Sequence, residues 1–317
     1  MSQLHPALYV RQGQIPFFRL PTVDVRQGPA AYQGAEAVLL GVPWDGGTTH
    51  QPGARFAPWE VRRVSAMIQP YHPVHEVDVF GTLACVDGGN VMIPPFSAAG
   101  ARELITQEIT AVLEARALPF VVGGDHSVTL PILRAIAAVH GPVQVVQLDA
   151  HLDTSTGDLW GDDFHHGTPF RHALNEGLIP QGGLHQVGIR GAFGDAEERA
   201  FGARFGTQVY GAELIEDLGI RSVATRIRAA LGDRPTYLSF DVDGLDPAFA
   251  PGTGTPVPGG LTAREVLVLL QALRGTQVVG MDVVEICPSR DTHDLTARLG
   301  AQLLFEGLAL AAVARVR

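Results

Sequence analysis

Lysine is absent from this sequence, so all 23 cationic side chains are arginine. That excludes Schiff-base chemistry on a lysine and the lysine of a phosphate-binding P-loop. Cysteine is nearly absent too. Cys85 and Cys287 cannot form a disulfide framework. Residues Met1 to Pro6 lack the basic-then-apolar layout of a secretory signal, and a reduced, cytoplasmic protein is the expectation. No apolar run reaches the roughly eighteen residues that a membrane span needs, so no membrane partner is expected. Charged residues are scarce at 18% against 46% apolar, with mean hydropathy +0.14. A chain of that balance has a large core and is not disordered. The net charge of −10, without a basic stripe, argues against nucleic acid.

What is present is alternation. Residues 1–34 carry four spaced prolines and are expected to be an irregular arm. From residue 35 on, apolar runs alternate with amphipathic stretches. Strands are expected at 35–42, 120–122, 143–148, 184–189, 236–240 and 278–284. Helices are expected at 58–67, 101–118, 128–139, 219–231, 263–273 and 294–316. Continuously apolar strands between helices predict an α/β fold. Its mostly parallel sheet would carry helices on both faces, a three-layer α/β/α arrangement. No internal repeat or linker interrupts it, so 35–317 is expected to be a single domain.

Four polar segments each follow an expected strand, the place where open parallel sheets build their sites. They are Gly123-Gly124-Asp125-His126-Ser127, Asp149-Ala150-His151-Leu152-Asp153, Asp241-Val242-Asp243-Gly244, and Glu285 within Val284-Glu285-Ile286-Cys287. Asp149, His151 and Asp153 are spaced by two, as are Asp241 and Asp243, so extended backbone points each set one way. A lone His126 would be read as a turn residue. Six polar choices converging on one sheet edge are not explained that way. Acids crowded together are costly unless cations neutralise them. Two histidines and four aspartates suffice for two divalent metals sharing carboxylates, with Mn²⁺, Zn²⁺ or Co²⁺ chemically suited. Such a pair can hold a hydroxide nucleophile at neutral pH.

The first three of these segments resemble the three motifs of the ureohydrolases, the arginase/agmatinase family. The resemblance extends to Pro52-Gly53-Ala54-Arg55-Phe56 and to His166-Gly167-Thr168-Pro169-Phe170-Arg171, and it covers roughly residues 35–310. Both stretches make the chain look closer to agmatinases than to arginases. The resemblance implies an arginase-like fold and two divalent ions, Mn²⁺ by family habit. One metal would be held by His126, Asp149, Asp153 and Asp241, and the other by Asp149, His151, Asp241 and Asp243. Asp149 and Asp241 would bridge, and Asp153 would also bond the bridging hydroxide. His166 would be the proton-shuttling histidine, and Glu285 the carboxylate that binds the guanidinium. The resemblance also suggests a homo-oligomer, a trimer or hexamer, with the 1–34 arm across a neighbour.

The chemistry agrees with that assignment. A guanidinium is planar, charged and resistant to free water. Two M²⁺ and four aspartates balance, and Glu285 adds a negative charge for a cationic substrate. The departing amine needs a proton, and His166 is the candidate donor, with His165 as its rival next door. The loop after Asp153 carries Asp158, Trp160, Asp162 and Asp163 and no arginine. Those acids suit a distal ammonium, with Trp160 as an aromatic face for it; they could also simply solvate a loop. The expected reaction is agmatine to putrescine and urea. Guanidinobutyrate, another guanidino acid or arginine are the alternatives. Asp125 reads as a structural acid and Asp246 as a turn cap. A phosphoesterase would need cations at the mouth. A metal-binding protein without activity would have lost ligands that are present here.

Overall fold

The computed structural model describes residues 15–158, 160–194 and 196–316. Eight strands form one sheet, all parallel. They are β1 (Ala37–Gly41), β4 (Cys85–Asn90), β5 (Leu118–Val122), β6 (Gln144–Leu148), β7 (Leu184–Val187), β8 (Gln208–Tyr210), β9 (Pro235–Asp241) and β10 (Gln277–Val284). Their order across the sheet is β4-β1-β5-β10-β9-β6-β7-β8. A two-stranded antiparallel hairpin, β2 (Tyr71–His72) and β3 (Val77–Asp78), lies outside it.

Alternate side chains of the strands go to opposite faces, as the pleat demands. Leu39, Phe120, Leu238 and Met281 join one apolar cluster. It also takes in α1 (Ala57–Ser65), α8 (Ile220–Leu231), α9 (Ala263–Ala272) and α10 (Leu295–Arg315). Val38, Val121, Val145 and Tyr237 join the other, with α3 (Ala98–Glu114), α4 (Thr129–His140) and α5 (Pro169–Asn175). The expected three layers are therefore present, and the expected strands and helices form close to their foreseen limits. Three short helices complete the chain: α2 (Val79–Thr82), α6 (Ala196–Arg204) and α7 (Ala212–Leu218).

α10 has the length and apolarity to cross a membrane, yet 83% of that window is buried inside the molecule. It is a core helix, and it lies so close to the sheet that a Cβ on Gly307 would sit 2.3 Å from Met281 Sδ. Of the expected 1–34 arm, residues 1–14 lie outside the described residues. From residue 17 the chain forms two short 3-10 helices, Phe17–Arg19 and Val25–Tyr32, and its start is packed on the domain. Phe17 and Phe18 are fully buried, and the Phe17 and Phe18 N–H groups donate to Asp87 and Ser65. The two aromatic side chains gain more by joining the core than an exposed arm would allow.

Candidate active site

The four polar segments are brought together because β5, β10, β9 and β6 are consecutive in the sheet. Their carboxyl ends deliver His126, Glu285, the Asp241–Asp243 pair and the Asp149–Asp153 segment to one edge. The backbone is bent sharply there. Asp153 and Glu285 have φ of 52° and 63°, in the left-handed region that costs a non-glycine residue free energy. Glu285 N–H is tied to the Gly124 carbonyl at 2.8 Å. Gly124 itself passes so near Trp44 that a Cβ would fall 1.4 Å from the Trp44 carbonyl oxygen, so glycine is required.

His126 is the centre of the first group. Its Nδ1 lies 2.9 Å from Asp153 Oδ2, 3.1 Å from Asp149 Oδ2 and 3.4 Å from Asp241 Oδ2. It is buried and makes no well-directed hydrogen bond to any of them. Its Nε2 is 2.9 Å from Ser239 Oγ, whose hydroxyl donates to Asp282 Oδ1 at 2.7 Å. Asp282 also accepts the Thr129 and Tyr237 hydroxyls at 2.7 Å each. With the Ser239 proton given to Asp282, the ring places its own proton on Nε2. Nδ1 is left as the ring nitrogen aimed among three carboxylates, the arrangement of a metal ligand.

The second group shares Asp149. His151 Nδ1 is 3.1 Å from Asp243 Oδ2 and 3.4 Å from Asp149 Oδ1. Candidate ligand atoms of His126, Asp149 and Asp153 lie within 4.8 Å of one another, as do those of Asp149, His151 and Asp243. These are two overlapping triads with one common carboxylate. The Gln147 amide donates to Asp149 Oδ2 at 2.7 Å, and Thr255 Oγ1 donates to Asp243 Oδ2 at 3.2 Å. Arg190 gathers the carbonyls of Asp243, Gly244 and Leu245 at 2.7–3.0 Å, fixing the loop beneath them.

The electrostatics of the bare cluster are unbalanced. Burial, with Asp149 beside it, raises Asp153 to about 7. Burial and neighbouring carboxylates raise Asp241 well above its ordinary value, and burial raises Asp243 too. For Asp149, burial acts the same way, but His126 and His151 outweigh it and hold the carboxyl low. The four acids therefore cannot all ionise in so small a volume without added positive charge. The donor set fits a pair of divalent ions, and six side chains stand ready to hold them.

His166 is brought against Glu285, with Nδ1 2.9 Å from Glu285 Oε1. Its Nε2 is 2.8 Å from Thr49 Oγ1. Burial lowers the affinity of this ring for a proton, but the charge of Glu285 outweighs it and lifts the pKa to about 9. Glu285 Oε1 also accepts the His126 N–H at 2.9 Å, while among the described residues Oε2 takes no hydrogen bond. Its rival, His165, is a loop brace: buried, its Nδ1 accepts the Gly167 N–H at 3.1 Å. Asp125 binds loops together through Gly47 N–H and Ser127 N–H, and Asp246 caps its turn through Ala248 N–H. Trp160 is more than half exposed.

Several contributors were not foreseen. Thr49 looks like an ordinary loop residue, and Ser239 and Asp282 like ordinary strand residues. Asp282 alone left a signal, an acid inside the apolar run Val278-Val279-Gly280-Met281-Asp282-Val283-Val284. Beside the site, at the carboxyl ends of β7 and β8, is a cavity of about 270 Å³. Leu152, Arg190, Phe193, Arg199 and Glu213 are among its walls.

Residues 35–309 match the model of the arginase family. The chain belongs to the arginase family. It is 40% identical over 311 residues to proclavaminate amidinohydrolase of Streptomyces clavuligerus, covering 96% of this chain and 97% of that one. The solved structure of that enzyme superposes with a TM-score of 0.89 over 95% of this chain and 98% of the other. It is 41% identical to the guanidinopropionase of Pseudomonas aeruginosa, over 100% and 99% of the two chains. It is 40% identical to the mitochondrial agmatinase of Gallus gallus, over 87% and 81%. As an arginase-family protein it is a hydrolase acting on guanidino groups. The family's two-metal chemistry meets here the paired His/Asp clusters described above.

Proposed function

We propose that the chain hydrolyses agmatine to putrescine and urea, using two divalent ions, Mn²⁺ by preference. His126, Asp149, Asp153 and Asp241 would hold one ion, and Asp149, His151, Asp241 and Asp243 the other. When bound, the ions supply a hydroxide at neutral pH for attack on the guanidinium carbon. The single observation that carries the reading is Glu285 Oε2, which takes no hydrogen bond among the described residues while Oε1 is held by His126 N–H and His166.

Glu285 receives the planar guanidinium through charge-assisted hydrogen bonds and orients its carbon toward the cluster. Asp153 orients the attacking group. His166, cationic near neutral pH and buried against Glu285, gives its proton to the departing amine. Thr49 keeps the ring in place from the other side. The products are urea and a free amine.

The tail preference rests on the loop that follows Asp153. Asp158, Asp162 and Asp163 are exposed on it with Trp160, and it carries no arginine. Nearby arginines are already engaged: Arg55 with Asp45, and Arg171 with the Thr154 carbonyl and the Phe201 ring. A guanidino acid is the second reading, and Arg199 in the wall of the neighbouring cavity favours it. Changing Asp158, Asp162 and Asp163 to asparagine should raise KM for agmatine and leave KM for guanidinobutyrate unchanged. A loss of guanidinobutyrate turnover on Arg199→Ala, with agmatine unaffected, would establish the second reading instead. A homo-oligomer, trimer or hexamer, belongs to the same proposal. Phe56 and Trp59, with ring centroids 6.4 Å apart and both more than half exposed, offer it an apolar contact. Sedimentation of Phe56→Ser/Trp59→Ser checks this: a smaller species is expected, and an unchanged one removes that contact.

A further inference from the structure

The β2–β3 hairpin turns through His72-Pro73-Val74-His75-Glu76, and its two histidines meet the middle of α10 at Glu306. All three side chains are at most 3% exposed. One possible ligand atom from each lies within 4.8 Å of the other two. His72 Nε2 is 2.9 Å from Glu306 Oε2, and the Gln271 and Gln302 amides donate to Glu306 Oε1 at 3.3 and 3.1 Å. His72 Nδ1 accepts the His75 peptide N–H at 3.1 Å. That makes Nε2 the ring's donor to Glu306. Glu306 is thus a buried acid whose hydrogen-bond partners are an imidazole and two amides.

Beside it, both ring nitrogens of His75 are buried, with no hydrogen-bond partner among the described residues. With no partner at either nitrogen, the ring offers an unused ligand atom. A buried acid without a cationic side chain among its hydrogen-bond partners and an unfilled imidazole therefore stand together. A cation that accepts a lone pair corrects both.

We propose that His72, His75 and Glu306 form a divalent-metal site, separate from the guanidine-hydrolysing cluster. Two imidazoles and a carboxylate suit Zn²⁺ best among common ions. His72 and His75, three residues apart in a tight turn, supply donors from one short segment. On loading, the Nε2 proton of His72 is replaced by the ion, and the ring takes a proton on Nδ1 from solvent. The His75 peptide N–H gives up that acceptor. The two rings, stacked with centroids 4.5 Å apart, open by side-chain rotation toward the ion. Zinc there clamps the hairpin to α10, as structural zinc does where a turn lacks a core of its own.

The test uses the full chain with Asp149→Asn and Asp243→Asn, which removes charge from the catalytic cluster. The protein is stripped with chelator, exposed to Zn²⁺ alone, desalted and assayed for metal. About one zinc per chain is expected to remain, with a rise in melting temperature of several degrees. Adding His75→Phe, which refills the stacked space without a ligand, should abolish both. Zinc content that is zero before the His75 change, or the same after it, overturns the proposal. The otherwise native Mn²⁺-loaded chain gives an independent reading. There His75→Phe should keep urea release unchanged and, after exposure to Zn²⁺ and desalting, hold about one zinc fewer per chain. Equal zinc in the two proteins also overturns it. Neither readout depends on which guanidine is the substrate.

Discussion

His126 is held from both ends, and that double hold is where a single residue decides most. Asp282, which accepts three hydroxyls including that of Ser239, fixes the ring's proton on the far side from the cluster. Asp282→Asn turns one acceptor into a donor. It should weaken retention of one metal by about 10–100-fold, measured by metal content after graded dialysis, with the far-ultraviolet spectrum unchanged. His166 carries a second consequence. Its folded pKa, about 9, stands above the ordinary 6.5 because Glu285 outweighs burial. Its contribution to stability is complete below pH 6.5 and is lost as pH rises through about 9. Denaturant midpoints of the metal-free protein should show that loss, and His166→Asn should flatten it. The same change should cut turnover by about 10²–10⁴-fold, the worth of a general acid. At this scale the acids and histidines that bear charge at strand ends were legible in the sequence. Thr49 and Ser239 were not, because a hydroxyl that orients a histidine has no pattern of its own.

Among elements, α10 shows how closely packing was specified. A Cβ on Gly307 would meet Met281 Sδ at 2.3 Å and Phe120 at 3.2 Å. Gly307→Val should cost about 1–3 kcal/mol in urea unfolding, through overpacking between helix and sheet, and leave KM unchanged. The main strands were legible because both of their faces are buried, which makes them continuously apolar. β4 and β8 were not, since edge strands need less apolar surface. β4 reads Cys85-Val86-Asp87-Gly88-Gly89-Asn90, and β8 has three residues. Helix α6 is short and has no clear apolar stripe, so its sequence resembles a loop.

The whole molecule has its charged cluster on the four middle strands, where the sheet cannot yield to separate the acids. Metal removal should therefore be felt globally. In the stripped protein Asp153, Asp241 and Asp243 have raised pKa values and Asp149 a lowered one. The raised set dominates, so stripped protein should lose stability as pH climbs from about 4 through about 7. Metal-loaded protein should not, and each 100-fold excess over Kd adds about 2.7 kcal/mol per ion. Fold class and reaction class were readable from sequence because motif spacing and strand order are tied together. The tail preference was not, because exposed acids on a loop serve solvation as well as recognition.

The most direct measurement is urea released by Mn²⁺-loaded protein from agmatine, arginine, guanidinobutyrate and guanidinopropionate at equal concentration. Urea in every active reaction, with agmatine preferred, is the predicted result. No urea from any of the four, in protein that holds both ions, would contradict the account.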